Sequence, residues 1–226
     1  MYWHLLRTIV LIADVSLLQN FLPKLKQHLL SRILSPINSK DQGSPCPSDV
    51  AHPDDCDPNV VLFQGDRIYS HRVLRINYTT YDVRRSQDVV NPYTSHCNIM
   101  VLNHDADSAL HHWFRYARVL GIYHANVVYM GHGVLNYQPR RMEFLWVRWY
   151  QIVDPRATGW RTFKLDRVKF FRVTDDDAFG FIDPSDVLRG SYIVPAFARG
   201  RPCMIRGDVS LCARNPSDYI QYYVNR

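Results

Sequence analysis

A chain of 226 residues, 46% of them hydrophobic, can bury a substantial core, which excludes disorder throughout. Its charge is lopsided: 22 Arg and 5 Lys stand against 20 Asp and a single Glu, Glu143, for a net +6 and a pI near 9.1. Lys and Glu, both good helix formers, are scarce while Tyr, Trp, Phe and Val are plentiful, so the composition favours strands and turns over exposed helices.

Residues 5 to 18, LLRTIVLIADVSLL, are apolar, but Arg7 and Asp14 interrupt them and no small-residue cleavage site follows. Neither a signal peptide nor a membrane span of about 20 apolar residues is expected. Leu18, Phe21, Leu22, Leu25, Leu29 and Ile33 then recur at helical spacing, with Lys24, Lys26, His28 and Arg32 elsewhere on the wheel. This predicts an amphipathic helical segment over 1–34, whose apolar stripe is expected to dock on a parent chain or partner, ahead of its own domain or a membrane surface. Residues 35–59, with five prolines among Ser, Asp and Asn, read as a flexible linker, and Asp54, Asp55 and Asp57 within it as solvated.

Residues 1–59 carry 5 basic and 6 acidic groups, so the 22 basic and 15 acidic groups of 60–226 give that part +7. An arginine excess suits phosphate or carboxylate recognition, and equally a solubilising surface. The cysteines, at 46, 56, 97, 203 and 212, are odd in number and contain no CxxC pair. Reduced thiols and a nuclear or cytoplasmic location are expected, and the sequon at Asn77 carries little weight.

From residue 60 the pattern is of short strands between turn signals. Strands are predicted at Val60 to Phe63, Val73 to Thr80, Asn98 to Leu102, Phe114 to Tyr123, Asn126 to Tyr129 and Glu143 to Tyr150. Four more follow, at Phe163 to Phe171, Phe179 to Ile182, Ser191 to Ala196 and Tyr219 to Val224. One helical turn is predicted at Asp183 to Arg189, capped by Asp183, with Pro184 in its first turn and Gly190 at its end. The predicted fold of 60–226 is mainly β, a small bent barrel or sandwich. MEFLWVRWY, from Met142 to Tyr150, is apolar on both faces, as a central strand requires. Within it Arg148 needs Glu143, Asp166 or another carboxylate as partner if buried, and joins the basic surface if exposed.

The order ARVLGI, FLWVRWYQ, LDRVKFF and FGFIDPSDVLRGSYIVPAF resembles proteins of basidiomycete fungi that accompany transposable elements (Plavaka or CACTA-like), a mostly uncharacterised group. The upstream RINYTTYDVRRSQDVVNPYTSHCNIM is similar to the segment before a comparable strand set in a domain of unknown function found with plant CACTA-type transposases. The resemblance covers roughly 60–226 and implies transposon ancestry, not an activity. By topological analogy the order is also similar to bromo-adjacent-homology chromatin modules. No acidic-triad transposase core is recognisable, and the chain stops at YYVNR within an apparent strand, so a gene-model fragment or a degraded copy is expected.

The functional expectation is a non-enzymatic interaction module without cofactor or membrane attachment, binding nucleic acid, chromatin or a transposase partner. The alternatives are a purely structural fragment of a larger transposase-associated protein and a metal-dependent hydrolase. Tyr78 and Tyr81 with Arg84 and Arg85 could set stacking rings beside guanidiniums. The competing reading pairs Arg84 and Arg85 with Asp82 and Asp88 to fix a turn. Arg140 and Arg141 complete the candidate binding set. The metal candidates are His104, Asp105 and Asp107 with His111 and His112, in a stretch that reads as a surface loop; Asp175 to Asp177 read as a solvated turn. No GxSxG, phosphate-cradling glycine loop or HExxH occurs.

Overall fold

The computed structural model describes residues 21–40, 57–103, 112–131, 137–153, 165–202 and 218–225. Two compact units emerge, one of Met1–Tyr69 with His124–Glu143, the other of Ser70–Tyr123 with Phe144–Arg226.

In the first unit helix α1 spans Phe21–Lys40. Pro36 costs it one backbone hydrogen bond without ending it, so it runs on through the first residues of the predicted linker. Much of its stripe is covered within the chain: Leu25, Leu29 and Leu30 are fully buried and Phe21 nearly so, while Arg32 Nη1 donates to the Glu143 carbonyl at 2.6 Å. Burial of each such leucine stabilises by about 1.5–3 kcal/mol. Strand β1, Val61–His71, pairs with β5, Phe114–Tyr129. Gly65 and Asp66, at φ +64° and +49°, interrupt β1 between the Gln64 side-chain contact to Asn126 and the Tyr69 ring stacked on His124. Past this irregularity β1 continues to His71, well beyond the predicted Phe63. No described helix is long and apolar enough to cross a membrane.

The second unit is mainly β. Its strands are β2 (Leu74–Thr79), β3 (Arg85–Val90), β4 (Asn98–Leu102), β7 (Asp166–Phe170), β8 (Phe179–Ile182), β9 (Val187–Gly190), β10 (Tyr192–Pro195) and β11 (Tyr222–Asn225). It also contains stretches of β5 and of β6, Arg140–Ile152. The strand order is β10-β11-β7-β6-β5-β4-β9, β8 lies on β6, and β2 and β3 form a separate hairpin. Antiparallel β6 changes neighbour along its length, pairing with β8 over Leu145 to Arg148 and with β7 over Tyr150 to Ile152. Among the described residues β10 and β9 have no further strand beside them, so the sheet stays open. Of the two predicted architectures, the closed barrel gives way to an open, sandwich-like one.

The period of two along β5 and β6 supplies two cores. Ala117, Val119, Leu145, Val147 and Trp149 join Ile99, Val101, Ile182 and Val187, and the hairpin closes this cluster with Ile76 and Val90. Tyr116 and Tyr150, at the alternate positions, join Val168, Tyr222 and Val224. Trp146 and Trp149 are only 7% and 9% exposed, so MEFLWVRWY is a core strand. Gly180 is needed where it stands, because a Cβ there would lie 2.7 Å from Trp149 Nε1.

Three local differences from the sequence reading have physical causes. Asp183 does cap a turn, its Oδ1 accepting from Ser185 N at 2.9 Å, but the turn lasts three residues and gives way to strand β9. The predicted strands 114–123 and 126–129 are one, since the polar His124 and Asn126 sit on the less buried face of a continuing ladder. Strand β3 was not expected from RSQDVV because its inward positions, Ser86 and Asp88, are polar; Asp88 Oδ2 accepts from Gly190 N at 3.0 Å.

Candidate nucleic-acid interface

The residues nominated by sequence do not form one surface. In the β2-β3 ladder Tyr78 faces Ser86 and Thr79 faces Arg85, so Tyr78 and Arg85 project to opposite sides. Tyr78 points inward and its ring is covered: the Arg189 guanidinium lies 4.1 Å from the ring centroid and Arg189 Nη2 donates to the phenol oxygen at 2.9 Å. Tyr81 is fully exposed at the hairpin tip. Arg84 Nε meets Asp82 Oδ2 at 2.9 Å, as the turn-fixing reading expected, but Asp88 pairs with Arg189 rather than with Arg84 or Arg85. The tip closes through Val83 N to Thr80 O (2.9 Å) and Thr80 N to Arg84 O (2.7 Å), with Val83 at φ +62°. Arg140 and Arg141 belong to the first unit; both are exposed, and Arg141 Nη2 lies 2.8 Å from Glu143 Oε1. An ion pair that open to water is worth little.

Of the metal candidates, His104, Asp105, Asp107 and His111 lie outside the described residues. His112 turns its Nε2 to Asp166 Oδ2 at 3.0 Å, and that same oxygen accepts from the Tyr116 hydroxyl at 2.8 Å. Asp175 to Asp177 are exposed, with Asp175 Oδ2 accepting from Arg172 N at 3.1 Å. Among the described residues no group of three His, Cys, Asp or Glu is placed to hold a metal. Cys97 is a buried free thiol, its pKa raised by burial; the other four cysteines are outside the described residues.

The strands β10, β11, β7 and the end of β6 bring together groups that the sequence left scattered. On their inner face Asp218 receives two guanidiniums: Arg118 Nη1 at 2.7 Å from Oδ1 and Arg148 Nη1 at 3.6 Å from Oδ2. The Tyr222 hydroxyl also donates to Oδ1, at 3.0 Å. Both guanidiniums lie against Phe170, Arg148 at 3.9 Å and Arg118 at 4.5 Å from its centroid, and Tyr150 stacks on the same ring at 4.2 Å. Burial opposes the Arg118 charge, but Tyr150, Asp218 and the hydrogen bond to Asp218 outweigh it and raise its pKa. For Arg148 burial, helped by the like charge of Arg118, outweighs Asp218 and lowers the pKa. Arg148 therefore has a carboxylate partner, as its burial requires, in Asp218, which the sequence did not single out by name. The D of NPSDY stands too far along the chain, and among too many other aspartates, to be singled out by spacing.

The outer face follows from the register. Val194 pairs with Tyr223 and Tyr223 with Arg167; Tyr192 pairs with Asn225; Lys169 pairs with Gln151. Directly opposed residues share a face, so Tyr192, Val194, Tyr223, Asn225, Arg167, Lys169 and Gln151 look the same way. All but the half-buried Arg167 are exposed. Tyr192 is 61% and Tyr223 37% exposed, and the His96 ring meets Tyr192 edge-on at 5.6 Å. Asp166 and Asp218 belong to the inner face, and among the described residues neither Arg167 nor Lys169 pairs with a carboxylate. Two tyrosines, two cations and two amides thus share a sheet face on which no described residue is acidic. The signal lay in the alternation of LDRVKFF and YYVN, whose odd-numbered positions 167, 169, 223 and 225 all turn outward.

Compared with protein-family models, curated proteins and solved structures, the chain matches none.

Proposed function

We propose that this chain is a non-enzymatic interaction module of transposable-element descent, and that its partner is nucleic acid, held on the outer face of β10, β11, β7 and β6. The observation that carries the reading is a face, free of acids among the described residues, on which Arg167 and Lys169 stand beside Tyr192 and Tyr223. Cations without local counter-charge attract phosphate and release its condensed counterions, while tyrosine rings offer each base an apolar plane. The net charge of +7 over residues 60–226 draws a polyanion towards the same part of the chain. Hairpin residues contribute Arg75 and Arg85 on an outer face that also lacks acids but has no ring.

Binding of the full chain to labelled DNA and RNA, measured across a salt series, tests this. Affinity is expected to fall linearly on a log–log plot, with a slope of about one per phosphate contacted. Absence of binding to either polymer at low ionic strength overturns it.

A further inference from the structure

We infer that the nucleic acid is taken single-stranded, one unstacked base on Tyr192 and the next on Tyr223, with the connecting phosphates directed to Arg167 and Lys169. This rests on the proposed nucleic-acid role and specifies its substrate.

The first argument is width. Reading a duplex requires an element that enters a groove, and the major groove, about 12 Å wide, admits a helix or a two-stranded ribbon. The face here spans four neighbouring strands. At about 4.8 Å per strand the outermost axes are about 14 Å apart before side chains are added. It cannot enter a groove, but an extended strand can lie across it.

The second argument is spacing. Tyr192 pairs with Asn225 and Tyr223 with Val194, so the two tyrosines are diagonal neighbours on adjacent strands. Such neighbours are about 7–8 Å apart, roughly twice the 3.4 Å rise per base in one strand of a duplex. Stacked duplex bases leave no gap for either ring, whereas an opened single strand can present one base to each. The third argument is charge. From Tyr223 the ladder leads directly to Arg167, and Lys169 follows two residues later on the same side. A backbone crossing from β11 towards β6 therefore meets cations next to the rings, and no carboxylate among the described residues of the face repels it.

The test is fluorescence anisotropy of the full chain with a labelled 12-nucleotide oligothymidine, a 12-nucleotide oligouridine, and a 12-base-pair mixed-sequence duplex at one salt concentration. Single strands are expected to bind at least tenfold more tightly than the duplex. Tyr192→Ala and Tyr223→Ala are each expected to weaken single-strand binding about tenfold, with Tyr223→Phe retaining it and thermal melts unchanged. Duplex binding equal to or tighter than single-strand binding, or indifference to both alanine variants, overturns the single-strand inference while leaving a nucleic-acid role standing. No binding to any of the three probes overturns both.

Discussion

Arg148 on β6 and Arg167 on β7 stand on adjacent strands of the same sheet and differ in which face they occupy. On the inner face Arg148 and Arg118 share Asp218 and the Phe170 ring, shielded from water. On the outer face Arg167 and Lys169 have solvent, amides and tyrosines around them and no acid among the described residues. Removing a charged group from water costs several kcal/mol, so the inner arginines are tolerable only with a carboxylate and aromatic rings at hand. The outer ones meet no such demand and keep their charge available to a ligand. A single register, and not the number of arginines, divides structural from surface cations.

The strongest way to break this comparison is Asp218→Ala. If the inner arginines depend on this carboxylate, the variant leaves two guanidiniums buried without it, and urea denaturation should report a loss of about 3–5 kcal/mol. A loss below about 1 kcal/mol would mean that the inner face is as tolerant of charge as the outer one. Charge reversal on the other face, Arg167→Glu with Lys169→Glu, should behave oppositely. Stability should stay within about 0.5 kcal/mol of the parent chain, while nucleic-acid affinity at low salt should fall by about tenfold or more. Unchanged affinity would remove the outer face from the proposed function.

Tyr222 sharpens the inner side of the comparison. Burial, together with Asp218, raises its phenol to about 12 despite the hydrogen bond from Tyr219 N, against an ordinary value near 10. As pH rises above about 10 the unfolded chain loses this proton while the folded chain keeps it, so the contribution is complete below about 10 and is lost by about 12. Tyr150 is also raised, by burial first, and extends the same trend. Urea titrations between pH 8 and 12 should show stability falling across that window. Tyr222→Phe should flatten the fall, at a cost of about 1 kcal/mol at pH 8 from the lost hydrogen bond to Asp218. An unchanged slope would show that the hydroxyl titrates as though in water.

What could be read from the sequence divides along similar lines. Periodicity located most strands and the two-faced character of MEFLWVRWY, because alternation is a local property that burial of Trp146 and Trp149 enforces. It missed β3, whose inward residues are polar, and it split β5 at His124 and Asn126. The candidate site was less legible. Tyr78 carries the residue type of a stacking platform, but Arg189, more than a hundred positions later, already lies over its ring. Tyr192, Tyr223 and Arg167 come from three strands whose adjacency is a matter of long-range pairing, which no spacing in one sequence encodes.

The smallest expected effect concerns the hairpin, the surface that the sequence favoured. Val83 is exposed and sits at φ +62°, a left-handed conformation that costs a β-branched residue about 1–2 kcal/mol and glycine almost nothing. It stands at the turn position where three-residue hairpin loops call for glycine. Val83→Gly should therefore stabilise the chain, by less than the full relief because glycine also widens the unfolded ensemble. A net gain of about 0.5–1 kcal/mol raises the melting temperature by about 1–4 °C. The same variant leaves Tyr192, Tyr223, Arg167 and Lys169 untouched, so nucleic-acid affinity should not move if the sheet face is the binding surface. A gain in stability accompanied by weaker binding would instead place the ligand at the hairpin tip, where Tyr81, Arg84 and the backbone of Val83 would have to be held in their present shape to receive it.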